Sequence, residues 1–315
     1  MRAPTSANTL RILIDDFRRF LPTLSKDRTI SDFDTEFHDR LDLIDRLSME
    51  SRESRSELMR DFFDACVLLD KSDCHRRGRH KPLGYAGDYQ MIDFIYQKHV
   101  AADPIGRLWD EFFHRQLAPR SVRNRKAHFV GLVHRLSSRG GEPLSILDIA
   151  SGPCRDLAEA FGAMNGTKKG TVVHCVDTDE RSIDYASRLL EPVKDEVEVT
   201  FAHCNALKYR PSRVYDLVWS AGLFDYLEDR YAALLLRKMW KWTQPGGSLV
   251  VGNFHRGQRG RTYMEWCGQW FLIHRSANEL RALAAQAGIP ADAVTIDYEP
   301  LRVCLFLTAC KRALC

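Results

Sequence analysis

Apolar and polar positions follow two different rhythms along this chain, and the rhythm changes near residue 140. From about residue 8 to 136, apolar residues recur at three- and four-residue spacing between charges. Leu41, Leu43, Ile44 and Leu47 make one such stripe, and Leu58, Phe62, Cys66 and Leu69 another. That spacing predicts amphipathic helices. It resumes with Met91, Ile92, Ile95 and Tyr96, and again with Phe129, Leu132, Val133 and Leu136. Between them, the basic stretch Lys71–Pro82 reads as a turn-rich break, and Ser137–Pro143 as a linker.

From Leu144 onward, short apolar runs bounded by Gly, Asp or Pro trade places with helix-length segments. The runs are Leu144–Ile149, Thr171–Val176, Val197–Ala202, Asp216–Ser220 and Ser248–Gly252. Such alternation predicts a parallel sheet with helices on both faces. Two further strand-like runs, Ala293–Glu299 and Arg302–Cys310, are joined too closely for a crossover. They predict a hairpin, with the final strand antiparallel to its neighbour. The expected fold class is α/β, a doubly wound, mostly parallel sheet spanning 144–315 behind a helical domain spanning 1–136.

Composition narrows the function. The chain has 315 residues, 44% of them hydrophobic, enough for one large domain and a smaller one. A formal charge of +4, scattered along the chain, gives no footprint for nucleic acid. Nine cysteines at irregular spacing, with no CxxC pair, read as free thiols of a reducing, cytoplasmic protein. The start Met1-Arg2-Ala3-Pro4 lacks the apolar core of a secretory signal. No uncharged run approaches the ~20 residues of a membrane span. Cys74, His75 and His80 suggest a metal corner but lack a fourth ligand, so no metal is expected.

Candidate chemistry begins at Leu147–Cys154, where a buried run enters a turn of small residues, Ala150, Ser151 and Gly152. Small residues let the backbone approach a ligand across the carboxyl end of a sheet, although many such turns are purely structural. Asp177 ends the second run, where an acidic side chain accepts both ribose hydroxyls of a nucleoside. Its competing reading is the N-cap of the following helix, a role for which Asp179 also stands in place. Asn205, with Ala206, lies just past the third run; its amide both donates and accepts and can pair with an adenine edge. The fourth run opens into Ser220-Ala221-Gly222, and a Pro-Gly-Gly turn, Pro245–Gly247, leads into the fifth.

In this order, the elements over about 144–310 resemble the class I S-adenosylmethionine-dependent methyltransferases. The resemblance implies methyl transfer with S-adenosylmethionine as cofactor. Asp148 and the loop Ala150–Cys154 would then approach the methionine part and Asp177 the ribose. Asn205 and Ala206 would flank adenine, and Ser220, Ala221 and Gly222 would border the methyl group. Two departures stand out: the family's alternate glycines are Ala150, Gly152 and Cys154 here, and its usual Asp after the third strand is Asn205. A nicotinamide enzyme fits less well, because the third glycine of the dinucleotide motif is absent and the sheet ends in a hairpin.

Three stretches, Gly84–Tyr89, Val122–Arg125 and Tyr263–Ser276, are similar to a bacterial subgroup, the extracellular-factor (3-hydroxypalmitic acid methyl ester) biosynthesis methyltransferases. That likeness spans about 80–310 and implies a small-molecule acceptor, the carboxylate of a hydroxy fatty acid or of another metabolite acid. The alternatives are an N- or O-methyltransferase of a specialised metabolite and a non-catalytic cofactor-binding regulator, which the loosened glycine loop would suit. The fourth element lacks the Pro-Pro-aromatic turn of amino-methylating DNA enzymes, so no nucleic-acid partner is expected.

For the acceptor side, Tyr85, Asp88 and Tyr89 form either a lid or a plain loop with Asp88 as helix N-cap. Arg125, from the resembling stretch, either clamps the cofactor carboxylate or belongs to a solvated basic face with Arg120 and Arg123. Beside the fourth run, Phe224, Asp225 and Tyr226 either reach the acceptor or begin the next helix. Asn253 and His255 follow the fifth run, and Tyr263 and Trp266 would wall a dry pocket or form plain core. A carboxylate acceptor is already ionised near neutrality and needs no strong base. A hydroxyl or amine would use Asp88 or His255.

Overall fold

The structure, a computed structural model, describes residues 7–24, 30–51, 54–139, 143–162 and 170–313. Its first six helices are α1 (Ala7–Phe20), α2 (Ile30–Glu50), α3 (Arg55–Ala65), α4 (Asp73–His80), α5 (Tyr89–Gln97) and α6 (Pro104–Arg115). The next six are α7 (Leu117–Arg139), α8 (Arg155–Gly162), α9 (Glu180–Leu190), α10 (Asp229–Trp242), α11 (Arg261–Trp266) and α12 (Ala277–Gln286). The strands are β1 (Ser145–Ile149), β2 (Thr171–Asp177), β3 (Val197–His203), β4 (Tyr215–Ser220), β5 (Thr243–Phe254), β6 (Val294–Tyr298) and β7 (Cys304–Cys310).

The chain divides into two units, Met1–Arg120 with Arg259–Phe271, and Ser121–Gln258 with Leu272–Cys315. The first is held by aromatic packing: Phe17 meets Phe37 at 5.0 Å, Phe33 meets Phe112 at 5.4 Å, and Phe62 meets Trp266 at 5.3 Å between ring centroids. Edge-on and tilted pairs of this kind add to plain area burial.

The second unit holds one seven-stranded sheet in the order β3-β2-β1-β4-β5-β7-β6. The first five strands pair in parallel, whereas β7 runs antiparallel to both β5 and β6. Strand residues alternate between two cores. Leu147, Ile149, Val218, Leu249 and Val251 face Leu235, Met239 and Leu280, from α10 and α12. Ile146, Val173, Leu217, Trp219 and Val250 face Phe129, Leu157 and Ala186, from α7, α8 and α9. Burial on both faces explains why the strands read as continuous apolar runs. The strand order reverses between β1 and β4, which opens a crevice at their carboxyl ends.

Three local expectations are corrected. Lys71–Pro82 contains helix α4, whose N-cap Ser72 accepts from the His75 backbone N–H at 3.0 Å. The charged sequence hides a buried face of Cys74, His75, Gly78 and Arg79, and a Cβ on Gly78 would stand 2.9 Å from the Gly268 carbonyl oxygen. The linker starts later than Ser137, because α7 continues to Arg139 and Ser138 Oγ donates back to the His134 carbonyl at 2.8 Å. Its residues Gly140–Glu142 lie outside the described residues. Finally, β5 begins at Thr243 rather than Ser248, taking the Pro-Gly-Gly turn into the strand.

Candidate functional site

The loop that leaves β1 has an alternating backbone. Ala150, Gly152 and Cys154 all adopt left-handed conformations, with φ of 55°, 57° and 53°. Only glycine takes this conformation without cost, and another residue there is strained by roughly 1–2 kcal/mol. The loop therefore keeps a glycine-type shape at two positions that lack glycine. Around Gly152 the space is open, with no atom within 4 Å of an added Cβ.

Asp177, at the end of β2, fastens this loop. Its Oδ2 accepts from the Gly152 N–H at 2.9 Å and its Oδ1 from the Asp179 N–H at 3.0 Å. The cap of α9 is Asp179, which accepts from the Arg181 N–H at 3.1 Å, so Asp177 is left to the loop. Burial raises the Asp177 carboxyl above its usual range, while its backbone donors pull the other way. Beneath it, Asp148 is 2% exposed, and its Oδ2 has no hydrogen-bond partner. Burial first, then Asp156 and Asp177 nearby, hold the Asp148 carboxyl well above its ordinary value. An orphaned buried carboxylate oxygen at a strand end is a group awaiting a ligand.

Beside this loop lies a cleft of about 170 Å³. Ala150, Val176, Asp177, Thr178, Asn205 and Ala206 line one part, and Leu207, Leu223, Leu227 and Leu235 make it apolar. Asn205 is shaped by its own turn, its Oδ1 accepting from the Leu207 N–H at 2.8 Å. An acid at one end and leucines around the rest suit a nucleoside, whose ribose is polar and whose base is flat and apolar on its faces.

Ser220–Gly222 is packed from both sides. Ser220 Oγ donates to the Ile149 carbonyl at 2.9 Å, and a Cβ on Gly252 of β5 would stand 2.8 Å from the Ala221 carbonyl oxygen. Arg125, from α7, is 4% exposed; its Nη1 lies 3.4 Å from Asp225 Oδ2, and its guanidinium lies over the Phe254 ring at 5.3 Å. Asn253 is fully buried and donates to Asp225 Oδ1 at 3.0 Å. Phe224 is core, whereas Tyr226 is 37% exposed. The His255 backbone N–H donates to the Val303 carbonyl at 2.7 Å, and its ring stands edge-on to Tyr298.

The remaining candidates lie in the first unit. Asp88 is the N-cap of α5: its Oδ1 accepts from the Met91 N–H at 2.9 Å and from Arg77 Nε at 2.7 Å. Tyr85 is exposed and Tyr89 half-buried. Tyr263 and Trp266 are interior: Tyr263 Oη lies 2.6 Å from His75 Nε2, and Trp266 Nε1 donates to Asp45 Oδ1 at 2.8 Å. Burial pushes the His75 imidazole down to about 3, so it is neutral in that contact.

Sequence reasoning missed the leucines of the cleft, whose spacing reads as ordinary core. It also missed the structural work of Asp225, for which a lone acid after a strand was the available signal. Among the described residues, one trio of potential metal ligands stands together, Asp148, Cys154 and Cys175. Contact with Cys175 and burial both raise the Cys154 thiol well above its usual value.

Residues 146–247 match a family model described as a methyltransferase domain. An 84-residue stretch is 26% identical to phosphoethanolamine N-methyltransferase 3 of Arabidopsis thaliana, covering 27% of this chain and 16% of that protein. Among solved structures, a possible exported protein from Bordetella parapertussis superposes with a TM-score of 0.66 at 18% identity, over 99% of this chain and 100% of that one. The S-adenosylmethionine-dependent methyltransferase SibL, in its apo form, gives 0.50 at 13% identity over 96% of each chain. The fold is that of the class I methyltransferases. Residues 146–247 are thus similar to a methyltransferase domain, set within a fold of this class.

Proposed function

We propose that this protein transfers the methyl group of S-adenosylmethionine to a small-molecule acceptor. The observation that carries the reading is Asp177, bonded to the left-handed loop at Gly152 and standing in the wall of the leucine-lined cleft. The residues present fit the cofactor: an orphaned carboxylate oxygen on Asp148, open space over Gly152, and an apolar slot beside Asn205. Asp148 with Ala150, Ser151 and Gly152 would hold the amino-acid end, and Asp177 the ribose. Asn205 and Ala206 would hold adenine, and Ser220, Ala221 and Gly222 would border the methyl group. When bound, the cofactor supplies a methyl group on a positively charged sulfur. The protein's part is to align the acceptor with it and to exclude water.

For the acceptor, the subgroup likeness favours the carboxylate of a hydroxy fatty acid or another metabolite acid. Tyr85, Asp88 and His255 are the catalytic candidates, and Tyr89 and the exposed Tyr226 are candidates for binding the acceptor. Phe224, Asn253, Tyr263 and Trp266, all buried, are the further substrate-binding candidates. Arg125 would take a carboxylate of the bound molecules. No described helix is long and apolar enough to cross a membrane. The eight described cysteines are free, which supports a reducing, cytoplasmic location.

The test is calorimetric titration with S-adenosylhomocysteine, followed by transfer of labelled methyl to a panel of hydroxy acids, phenols and amines. Absence of binding would overturn the reading. Binding without product from any acceptor would make the protein a cofactor-binding regulator instead.

A further inference from the structure

We infer that Asp148, Cys154 and Cys175 form a binding site for a thiophilic divalent cation of the zinc class, and that this cation and the amino-acid end of the cofactor exclude one another. The exclusion rests on that reading of the cofactor site, whereas the metal site stands on its own geometry. Three separate elements bring the groups together. Asp148 of β1 pairs in register with Cys175 of β2, on the sheet face that also carries Ile146 and Val173. Cys154 arrives from the end of the loop, in the left-handed conformation at φ 53°. Its Sγ lies 3.9 Å from Cys175 Sγ. One carboxylate oxygen of Asp148 and the two sulfurs all lie within 4.8 Å of one another. Spacing along the chain gave no sign of this set, because neighbouring strands supply two of its members.

Two thiolates on a tetrahedral zinc, each bound at about 2.3 Å, stand about 3.8 Å apart. The sulfurs of Cys154 and Cys175 already hold that separation. All three residues are buried, with Asp148 2% exposed, and Asp148 Oδ2 has no hydrogen-bond partner. Cys154 Sγ lies 3.7 Å from the Gly152 carbonyl oxygen and 3.8 Å from that of Ser151, weak contacts for a weak donor. Cysteine also occupies this position in spite of a backbone strain that glycine would not carry. Two sulfurs and one carboxylate select zinc over magnesium or calcium, which take oxygen ligands. Three protein ligands leave the fourth position to water. On binding, each thiol gives its proton to solvent and forms a bond to the metal, with no oxidation. A cation held there takes the free oxygen of Asp148 and sets positive charge where the cofactor's ammonium would come.

The experiment titrates the reduced, metal-free protein with Zn²⁺, and with Co²⁺ to read sulfur ligation from the thiolate-to-cobalt absorption band. One equivalent of either ion should bind, and the band should appear. In Cys175→Ala, and separately in Cys154→Gly, Zn²⁺ affinity should fall at least about tenfold, since disturbing even an outer partner of a ligand costs that much. The cobalt band should vanish in both. Saturating S-adenosylhomocysteine should weaken Zn²⁺ binding at least about tenfold, and Zn²⁺ should weaken S-adenosylhomocysteine by the same factor. 5′-Methylthioadenosine, which lacks the amino-acid end, should leave Zn²⁺ affinity unchanged. No uptake of metal, or uptake that both variants retain in full, would overturn the metal site. Zinc and S-adenosylhomocysteine binding side by side without mutual effect would overturn the exclusion. Should one variant fail to fold, the other carries the comparison. Failure of the metal-free protein to bind S-adenosylhomocysteine would sink the cofactor reading and the exclusion, while zinc uptake judges the metal site separately.

Discussion

Gly152 donates its backbone N–H to Asp177 Oδ2 at 2.9 Å, tying the loop after β1 to the end of β2. The carboxylate that shapes the loop is thus the one proposed to meet a ribose. Asp177→Ala removes both roles together. Cofactor affinity should fall by about 1–3 kcal/mol, the value of hydrogen bonds to a charged group. Titration with S-adenosylhomocysteine reads it, and unchanged affinity would remove Asp177 from the ribose.

Ala150 carries a side chain at φ 55°, where glycine is at ease. Ala150→Gly should raise stability, by up to about 1 kcal/mol after glycine's greater freedom in the unfolded chain is set against the relieved strain. Ala150→Val should cost more than the present alanine, because a branched Cβ is a true outlier there. Urea midpoints of the two variants should move in opposite directions.

Gly252 has no room for a methyl group, since its Cβ would stand 2.8 Å from the Ala221 carbonyl oxygen and 3.4 Å from the Ala221 Cα. Both neighbours are backbone and cannot rotate away. Gly252→Ala should therefore displace the Ser220–Gly222 loop, costing about 1–3 kcal/mol of stability and weakening cofactor binding. A variant with full stability but poor binding would place the effect in the loop alone.

Two buried groups set opposite pH responses. Burial pushes Asp225 up to about 6, against the lowering pull of Arg125, the Phe254 N–H and Arg275. Its folded form holds a proton that the unfolded chain has released, so its contribution is full below about 3.8 and lost as pH rises through 6. His75, lowered to about 3 by burial, works the other way: the unfolded chain takes a proton first, and stability is lost as pH falls from about 6.5 toward 3. Unfolding curves between pH 4 and 7 should lose the first component in Asp225→Asn and the second in His75→Phe.

Tyr263 Oη is the partner of His75 Nε2 at 2.6 Å, deep in the first unit. Tyr263→Phe should destabilise by about 1–3 kcal/mol, by leaving a buried imidazole nitrogen unmet. A lower melting temperature with cofactor affinity intact would mark the residue as support for its unit.

The chain's own pattern carried the sheet. Runs such as Ile146–Ile149 and Val173–Val176 are apolar throughout because strands covered on both faces have no polar side to display. The short join before β7 likewise left only an antiparallel hairpin. The strand-end positions of Asp148 and Asp177 and the tight turn at Gly152 were legible because strand ends and tight turns write themselves in local residue types. Helix α4 was not: its sequence is charged, and only burial of His75 and Arg79 among distant residues makes it a helix. Nor could spacing show that Tyr263 belongs to a core, that Asp225 braces Arg125, or that Ala150 and Cys154 hold a glycine's conformation. Each depends on which atoms from remote parts of the chain arrive beside a residue. Local preference sets the elements, whereas contacts formed across long stretches of sequence set which polar group is orphaned, which is paired and which is strained. For this protein, those contacts lie at the carboxyl ends of β1, β2 and β4, where the Ala150–Cys154 loop is held.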